Sequence, residues 1–478
     1  MLLRKKVIFP IFLVFLFIGC KNNIKSTDDG LCSSRLENVS ALVITNPTEN
    51  DKPKDEVWAK IQTISKKMVN SVNEESELKI LNSYVEKTPP YNALDSSLFI
   101  PNNSRTAISD IREQSFKIGE AHIFSDYDNS RIVAKMVAEG EYCYIWQDDD
   151  SLPYAKLSEE EIEDLIEKFD AIYLKQINLC GPKYNGLSQL ENIINPCKKI
   201  SILLTDIKPD VFGGFFRPYD YISANDSAQM EVIVVDSVEA KDKEKVSMLY
   251  STLVHEFSHL LTFVNKSLKY GLQFDTWYTE MLAMLTEDFF MQELGVEYRN
   301  SPQARLESFV SGGYVYGFKN WAKDDSPYLY CSYSNAYAFG AFLARNYGGA
   351  KLIHEICTNE YVNEESVVNA VNKINGTSKT FSDLLKEYSF VLLNLQSIES
   401  ETVSLNKESV CKINDYEYHL SKIDLANLPA QEKVEIKSII PEKIFECDLG
   451  AYGFYFLTFE KPTNIFLGKK DFLLRYYY

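Results

Sequence analysis

His255–His259 reads H-E-F-S-H, and these five residues are the most informative in the 478-residue chain. It lies inside 246–264, where apolar residues recur with the period of a helix. On a helix, side chains four residues apart share a face, so His255 and His259 point the same way with a gap suited to one metal ion. Glu256 can reach a water molecule on that metal. The pattern therefore predicts the core of a zinc hydrolase site, with two histidine ligands and a glutamate as general base.

A third ligand is expected from a second predicted helix, residues 277–290. Residues 265–274 between the helices are polar and contain glycine, which predicts a turn. Glu280 lies in the first turn of the second helix, and a short turn would pack that helix against the first. Its carboxylate would complete a two-histidine, one-glutamate set with water in the fourth position. The alternative ligand, His354, lies far downstream in an unrelated pattern.

The combination of H-E-x-x-H with a following W-x-x-E-x-x-A resembles the gluzincin metallopeptidases, which use glutamate as the third zinc ligand. Over Ile202–Gly349 the chain resembles the hyicolysin-like family of secreted neutral metalloproteases, chiefly through Leu253–Phe263 and Trp277–Asp288. The resemblance implies an α+β, zincin-type fold and a zinc-dependent endopeptidase. It also implies that the three predicted ligands hold one zinc ion per chain and that Glu256 is the general base.

Two further residues are candidates for the same site. Thermolysin-like enzymes carry an aspartate four residues after the glutamate ligand, whereas this chain has Met284. Glu287 lies two turns after Glu280 on the same face, so it either orients a ligand histidine or is an exposed acid. Tyr337 lies in a segment that resembles the Tyr-x-x-Gly helix of related aminopeptidases. It is predicted to stabilise the oxyanion, and the alternative is a core tyrosine.

Substrate binding is expected at a sheet edge beside the metal helix, because zincins bind substrate as an added antiparallel strand. The candidate edges are Met230–Asp236 and Gly213–Phe216. Gluzincin aminopeptidases carry Gly-x-Met-Glu-Asn in this region, where the glutamate holds the substrate amine, and only Met230 and Glu231 match here. We therefore expect an endopeptidase. The alternatives are an aminopeptidase and a non-catalytic surface lipoprotein that binds an envelope or host ligand on a zincin scaffold.

The N-terminus predicts export. Arg4–Lys6 is basic, and Val7–Gly19 is apolar but too short to span a bilayer. Phe17–Cys20 resembles the lipobox of bacterial lipoproteins, which implies that Cys20 is acylated after cleavage. We therefore predict a lipid-anchored protein of the bacterial cell envelope, and a plain signal peptide or an uncleaved anchor are the alternatives.

Composition restricts the partners. A net charge of −18 argues against nucleic-acid binding, because phosphate contacts need clustered Lys and Arg. The expected partners are a peptide or protein substrate and, through Cys20, a membrane. Eight further cysteines favour disulfides in an exported chain, with Cys180 and Cys197 as the expected local pair. Asp148–Asp150 is interpreted as a solvated loop, with a calcium site as the alternative.

The pattern of predicted elements divides the chain. Strands and helices mix in the first half, helices dominate the middle, and alternating strands follow. The predicted parts are a lipoprotein signal peptide at 1–20, a tether at 21–36, a mixed α/β lobe with the substrate-edge strand at 37–236, a helical catalytic lobe at 237–398 and a C-terminal β module at 399–478.

Overall fold

The structure is a computed structural model. It describes residues 34–52, 61–63, 106–107, 115–151, 153–183, 187–188, 190, 193–207, 213–223, 227–238, 246–322, 329–391, 403–428, 449–467 and 473–477. The predicted signal peptide, Cys20 and most of the tether lie outside these residues. Among the described helices, none has the length and apolar character needed to span a bilayer.

Most of the described strands lie before residue 237 or after residue 408, and most of the helices lie between 246 and 388. The strands are β1 (Ser34–Thr45), β2 (Ile61–Thr63), β3 (Thr106–Ala107), β4 (Ala121–Ser125), β5 (Arg131–Glu139), β6 (Cys143–Asp148), β7 (Leu187–Ser188), β8 (Ile200–Thr205), β9 (Gly214–Phe216), β10 (Val232–Asp236), β11 (Ser409–Ile413), β12 (Tyr416–Leu420), β13 (Phe454–Leu467) and β14 (Leu473–Tyr477). The helices are α1 (Glu159–Cys180), α2 (Val246–Thr262), α3 (Thr276–Phe290), α4 (Leu306–Val310), α5 (Leu329–Tyr347), α6 (Gly349–Thr358), α7 (Asn363–Asn375) and α8 (Phe381–Tyr388).

A six-stranded sheet packs against α2, the helix that contains His255 and His259. Its strand order is β4-β5-β6-β8-β10-β9. The pairs β6/β8 and β8/β10 are parallel, and every residue of β8 and β10 is buried, as expected for parallel strands covered on both faces. β9 runs antiparallel to β10 and is the outermost described strand on that side of the sheet. Of the two candidate substrate edges, Gly213–Phe216 is therefore the edge. Met230–Asp236 is wrong as an edge because β10 pairs on both sides.

Helices α1, α2, α3 and α5 form a layer on one face of this sheet. α2 packs against β9 and β10, and α3 packs against both α2 and α5. Their contacts are made by fully buried apolar side chains such as Phe257, Met281 and Leu285. At Gly340 of α5 an added Cβ would lie 2.6 Å from Met281 Cγ, so only glycine permits this close approach to α3. The predicted helix at 277–290 is found in this layer as α3.

A second sheet joins the two ends of the described chain. Its order is β14-β1-β13-β2, and β1 pairs antiparallel with both β13 and β14. The hairpin of β11 and β12 pairs separately, and β11 packs against α6. Strands thus follow the helices, as predicted, but two of them share a sheet with β1 and β2. The predicted α+β fold class is confirmed, whereas the boundaries of its parts stay a prediction.

The predicted Cys180–Cys197 disulfide is wrong. No disulfide joins the six cysteines that lie within the described residues. Cys180 ends α1 in the large core on the helical face of the sheet, and its Sγ lies 3.5 Å from Thr286 Oγ1. Cys197 belongs to the smaller core on the opposite face. The sheet therefore lies between these two cysteines, although they are close in sequence.

Candidate metal centre

The structure brings the three predicted ligands together in the core. His255 and His259 project from the same face of α2, one turn apart, with ring centroids 4.7 Å from each other. Glu280 reaches them from the first turns of α3, with Oε2 3.2 Å from His255 Nε2 and Oε1 3.5 Å from His259 Nε2. One ligand atom from each residue lies within 4.8 Å of the others. The helical spacing and the packing of α3 on α2 together create this cluster.

The cluster has the chemistry of a metal site. His255 Nε2 and both carboxylate oxygens of Glu280 are buried, and none has a hydrogen-bond partner among the described residues. Buried polar atoms without partners are rare because each costs free energy. A cation between the three residues would satisfy these atoms, and two imidazoles with one carboxylate form a donor set of catalytic zinc sites. The residues present therefore fit a zinc ion.

The Nδ1 atom of each ligand histidine hydrogen-bonds to a buried side chain of α3. His255 Nδ1 lies 2.7 Å from Glu287 Oε1, and His259 Nδ1 lies 2.8 Å from Thr279 Oγ1. When each Nδ1 donates a hydrogen bond, the lone pair of Nε2 faces the metal position. Glu287 is buried, so the alternative of an exposed acid is wrong. Thr279 was not anticipated, and its only sequence signal is that it directly precedes Glu280.

Glu287 has further partners that sequence reasoning missed. Ser251 donates its hydroxyl to Oε2 at 2.6 Å, and Arg305 Nη1 lies 3.2 Å from Oε1 and 3.5 Å from Oε2. Burial raises the pKa of the Glu287 carboxyl, but Arg305 and then His255 outweigh it and hold this pKa below its usual range. Glu287 is therefore an anion fixed by donors from two other segments.

Glu256, the predicted general base, is buried beside the ligands. Burial raises the pKa of its carboxyl to about 8, and Glu280 and Glu287 add to the rise while His255 opposes it. Strand β9 lies close to Glu256. A Cβ added to Gly214 of this strand would be 3.3 Å from Glu256 Cγ. The backbone of Phe216 also hydrogen-bonds to the carboxyl. The sheet edge and the predicted base are thus in contact.

Tyr337 is not part of the ligand cluster. It is fully buried on α5, where burial and then Asp288 raise the pKa of its hydroxyl well above 10. The next influence on this pKa is Arg345, which pairs with Asp288. The Tyr337 hydroxyl thus lies beside Asp288, which directly follows Glu287 on α3. Its role in oxyanion stabilisation stays a prediction.

The remaining candidates lie elsewhere. His354 Nδ1 is 3.0 Å from Asn178 O, so this histidine is wrong as a third ligand. Glu231 is buried, with Oε1 3.0 Å from Lys183 Nζ and Oε2 accepting from the amide of Cys197 at 2.8 Å. Within the described ranges, the ligand cluster is the only group of His, Cys, Asp and Glu that could hold a metal, so the alternative of a calcium site in the Asp148–Asp150 loop is not found.

Comparisons with known proteins identify a metalloprotease family. The sequence profile of the Peptidase M30 family matches residues 130–455. The neutral metalloprotease ShpI of Staphylococcus hyicus is 26% identical over 262 residues, which are 52% of this chain and 55% of that protein. The chain thus spans about half the length of this curated relative.

Among solved structures, a mutant of an M1 zinc metallopeptidase from Deinococcus radiodurans matches with 11% identity and a TM-score of 0.32. The match covers 56% of this chain and 52% of that one, and it is too distant to support an argument. The family profile, by contrast, covers more than half of the chain and includes every residue of the ligand cluster. The predicted resemblance to hyicolysin-like metalloproteases is therefore confirmed, and this chain belongs to the Peptidase M30 family.

Proposed function

We propose that this protein is a zinc-dependent endopeptidase that uses Glu256 to activate the attacking water. The observation that carries the proposal is the buried ligand cluster, in which His255 Nε2 and both oxygens of Glu280 lack hydrogen-bond partners among the described residues. Membership of a peptidase family supports hydrolysis of peptide bonds. The residues that would hold the zinc ion are His255, His259 and Glu280.

Zinc held there would polarise the scissile carbonyl and make water a nucleophile near neutral pH. Glu256 accepts the proton of the attacking water and returns it to the amine that leaves. Burial raises the pKa of the Glu256 carboxyl and so makes it a stronger base, and a bound cation would offset part of this rise. Glu287 and Thr279 keep the two imidazoles in place during these steps.

Strand β9 is proposed as the substrate-binding edge. It is the last strand of the six-stranded sheet on the side where α2 packs. β10 pairs with one side of β9, and no described strand pairs with the other side, where an extended peptide could pair with Gly214 and Phe215. A substrate paired with β9 would pass beside Glu256, which is the position that hydrolysis requires.

The state of Glu231 supports an endopeptidase rather than an aminopeptidase. Both of its oxygens are engaged, one with Lys183 Nζ and the other with the amide of Cys197, and its side chain is fully buried. A glutamate that recognises a substrate amine needs a free oxygen at the cleft. We expect matched peptides with free and acetylated N-termini to be cleaved internally at similar rates. Cleavage that requires a free N-terminal amine would contradict the endopeptidase proposal.

We also propose that Cys20 carries a lipid that anchors the protein to the bacterial cell envelope. The support is the basic Arg4–Lys6, the apolar Val7–Gly19 and the small residue directly before the cysteine. In bacteria that express the full chain and are supplied with an alkyne fatty acid, we expect the wild type to be labelled and Cys20→Ser to remain unlabelled. Equal labelling of both forms would exclude Cys20 as the modified residue.

A further inference from the structure

Two adjacent acids of α3 each pair with their own arginine. Glu287 pairs with Arg305, whose Nη1 lies 3.2 Å from Oε1. Asp288 pairs with Arg345 at 2.8 Å, and both of these side chains are fully buried. Glu287 also hydrogen-bonds to a predicted zinc ligand, His255, whereas the further partner of Asp288 is Gln303, which is not a predicted ligand. The Asp288–Arg345 pair is therefore a natural control for the other.

The donors around Glu287 fix both of its oxygens. Oε1 is shared between His255 Nδ1 at 2.7 Å and Arg305 Nη1 at 3.2 Å, while Oε2 accepts the hydroxyl of Ser251 at 2.6 Å. These donors come from α2 and from the turn Pro302–Arg305 that precedes α4. The carboxylate therefore cannot rotate without losing a charged partner.

Arg305 is itself held in place. Its guanidinium carbon lies 6.0 Å from the centre of the Tyr333 ring, and its side chain is 13% exposed. A guanidinium against an aromatic face is restricted in orientation, and its planar donors match a carboxylate better than a lysine ammonium does. The arginine thus fixes the direction as well as the charge of Glu287.

We propose that Arg305 is a positioning residue of the metal centre, which acts through Glu287 to aim His255 Nε2 at the zinc position. This inference rests on the proposed function. Without Arg305, the buried carboxylate would keep only neutral donors and the histidine, and the ring that it orients would lose its fixed direction. Removal of partners that orient metal ligands weakens metal binding by roughly 10- to 100-fold.

The test uses the full chain loaded with zinc, and the zinc Kd is measured by competition with a chelator. For Arg305→Met we expect a zinc Kd about tenfold higher than that of the wild type, and a lower kcat with a nearly unchanged KM. Arg305→Lys keeps the positive charge but places it on a single ammonium nitrogen in place of the planar guanidinium, so it should recover part of the zinc affinity. Because this variant leaves no uncompensated charge, it also remains informative if Arg305→Met does not fold.

Two controls separate positioning from a structural effect. In the Glu287→Gln background, Arg305→Met should cause no further loss of zinc affinity, because the residue through which it acts is already changed. The double variant Asp288→Asn/Arg345→Met removes the neighbouring ion pair, so it should lower the melting temperature and leave the zinc Kd within about twofold of the wild type.

Three outcomes would overturn the inference. The first is an unchanged zinc Kd in folded Arg305→Met and Arg305→Lys, and the second is an equal loss with or without Glu287. The third is a similar loss of zinc affinity in the Asp288→Asn/Arg345→Met control. Absence of zinc binding by the wild type would overturn the proposed function as well, which distinguishes the two failures.

Discussion

Glu256 shows how a single residue acquires its chemistry from its surroundings. Its carboxyl is buried next to Glu280 and Glu287, and burial is the largest cause of a pKa raised to about 8. A carboxylic acid with an ordinary pKa would be ionised at neutral pH but would be a weak base. The surroundings therefore make this carboxylate a stronger base than an exposed glutamate, as the proposed role of Glu256 requires.

This pKa gives a pH dependence with a definite sign. Glu256 must be deprotonated to accept a proton, so kcat/KM should fall as pH decreases through its pKa. A bound cation favours the anion, so the midpoint of this acid limb should lie below the value of about 8 found without metal. We would measure kcat/KM on a fluorogenic peptide from about pH 5 to 9 with zinc bound throughout. A profile that stays flat across this range would contradict the role of Glu256.

Thr279 is expected to support zinc binding although it is not a ligand. Thr279→Val removes the partner of His259 Nδ1 and should raise the zinc Kd about tenfold. Thr262→Val is a matched control, because Thr262 is also buried and its hydroxyl has no hydrogen-bond partner among the described residues. Equal zinc affinities for the two variants, measured by chelator competition, would show that the bond to His259 is unimportant.

The sequence predicts those site residues whose positions depend on local geometry. The period of one helix is enough to predict that His255 and His259 share a face. The prediction of Glu280 needs a second helix and a short turn between the two. The contacts of Ser251 and Arg305 with Glu287 join residues separated by 36 and 18 positions. They depend on how neighbouring elements pack, and no periodicity encodes such packing.

At the scale of elements, the contact between α2 and β9 joins the proposed base, Glu256, to the proposed substrate edge. The β-branched, apolar run of β10 predicts a strand, whereas β9 has only three residues and no period, so the sequence indicates Gly213–Phe216 only as one of two candidate edges. Gly214 makes the contact possible. An added Cβ there would lie 2.6 Å from both Val234 O and Thr252 Cγ2. The missing side chain thus lets the edge strand approach the metal helix.

We expect Gly214→Ala to impair catalysis without impairing zinc binding. The new methyl group would push β9 away from α2, and a displacement of about 1 Å between substrate and catalytic groups can cost 100-fold in rate. The ligands lie on α2 and α3, so the zinc Kd should change little. Measurement of kcat/KM and the zinc Kd on the same preparation would test this. A normal kcat/KM would mean that substrate does not depend on this approach of β9.

At the scale of the whole molecule, the α+β class follows from patterns along the chain, but its connectivity does not. β1 and β13 pair although Ile44 and Tyr455 are about four hundred residues apart. Such a register depends on long-range packing, so the strands of 399–478 could be predicted while their partners could not. The same limit explains the mistaken pairing of Cys180 with Cys197, which lie on opposite faces of one sheet.

In the described part of the molecule, the sheet edge and the helical layer meet at the buried cluster of His255, His259 and Glu280. The most direct test is proteolysis of an unfolded protein substrate by zinc-loaded wild type and Glu256→Gln, each with and without a zinc chelator. We expect cleavage by the wild type alone, its loss on chelation, and a loss of several orders of magnitude in Glu256→Gln despite unchanged zinc content. Cleavage by Glu256→Gln at the wild-type rate, or cleavage that persists after zinc removal, would contradict the proposed mechanism.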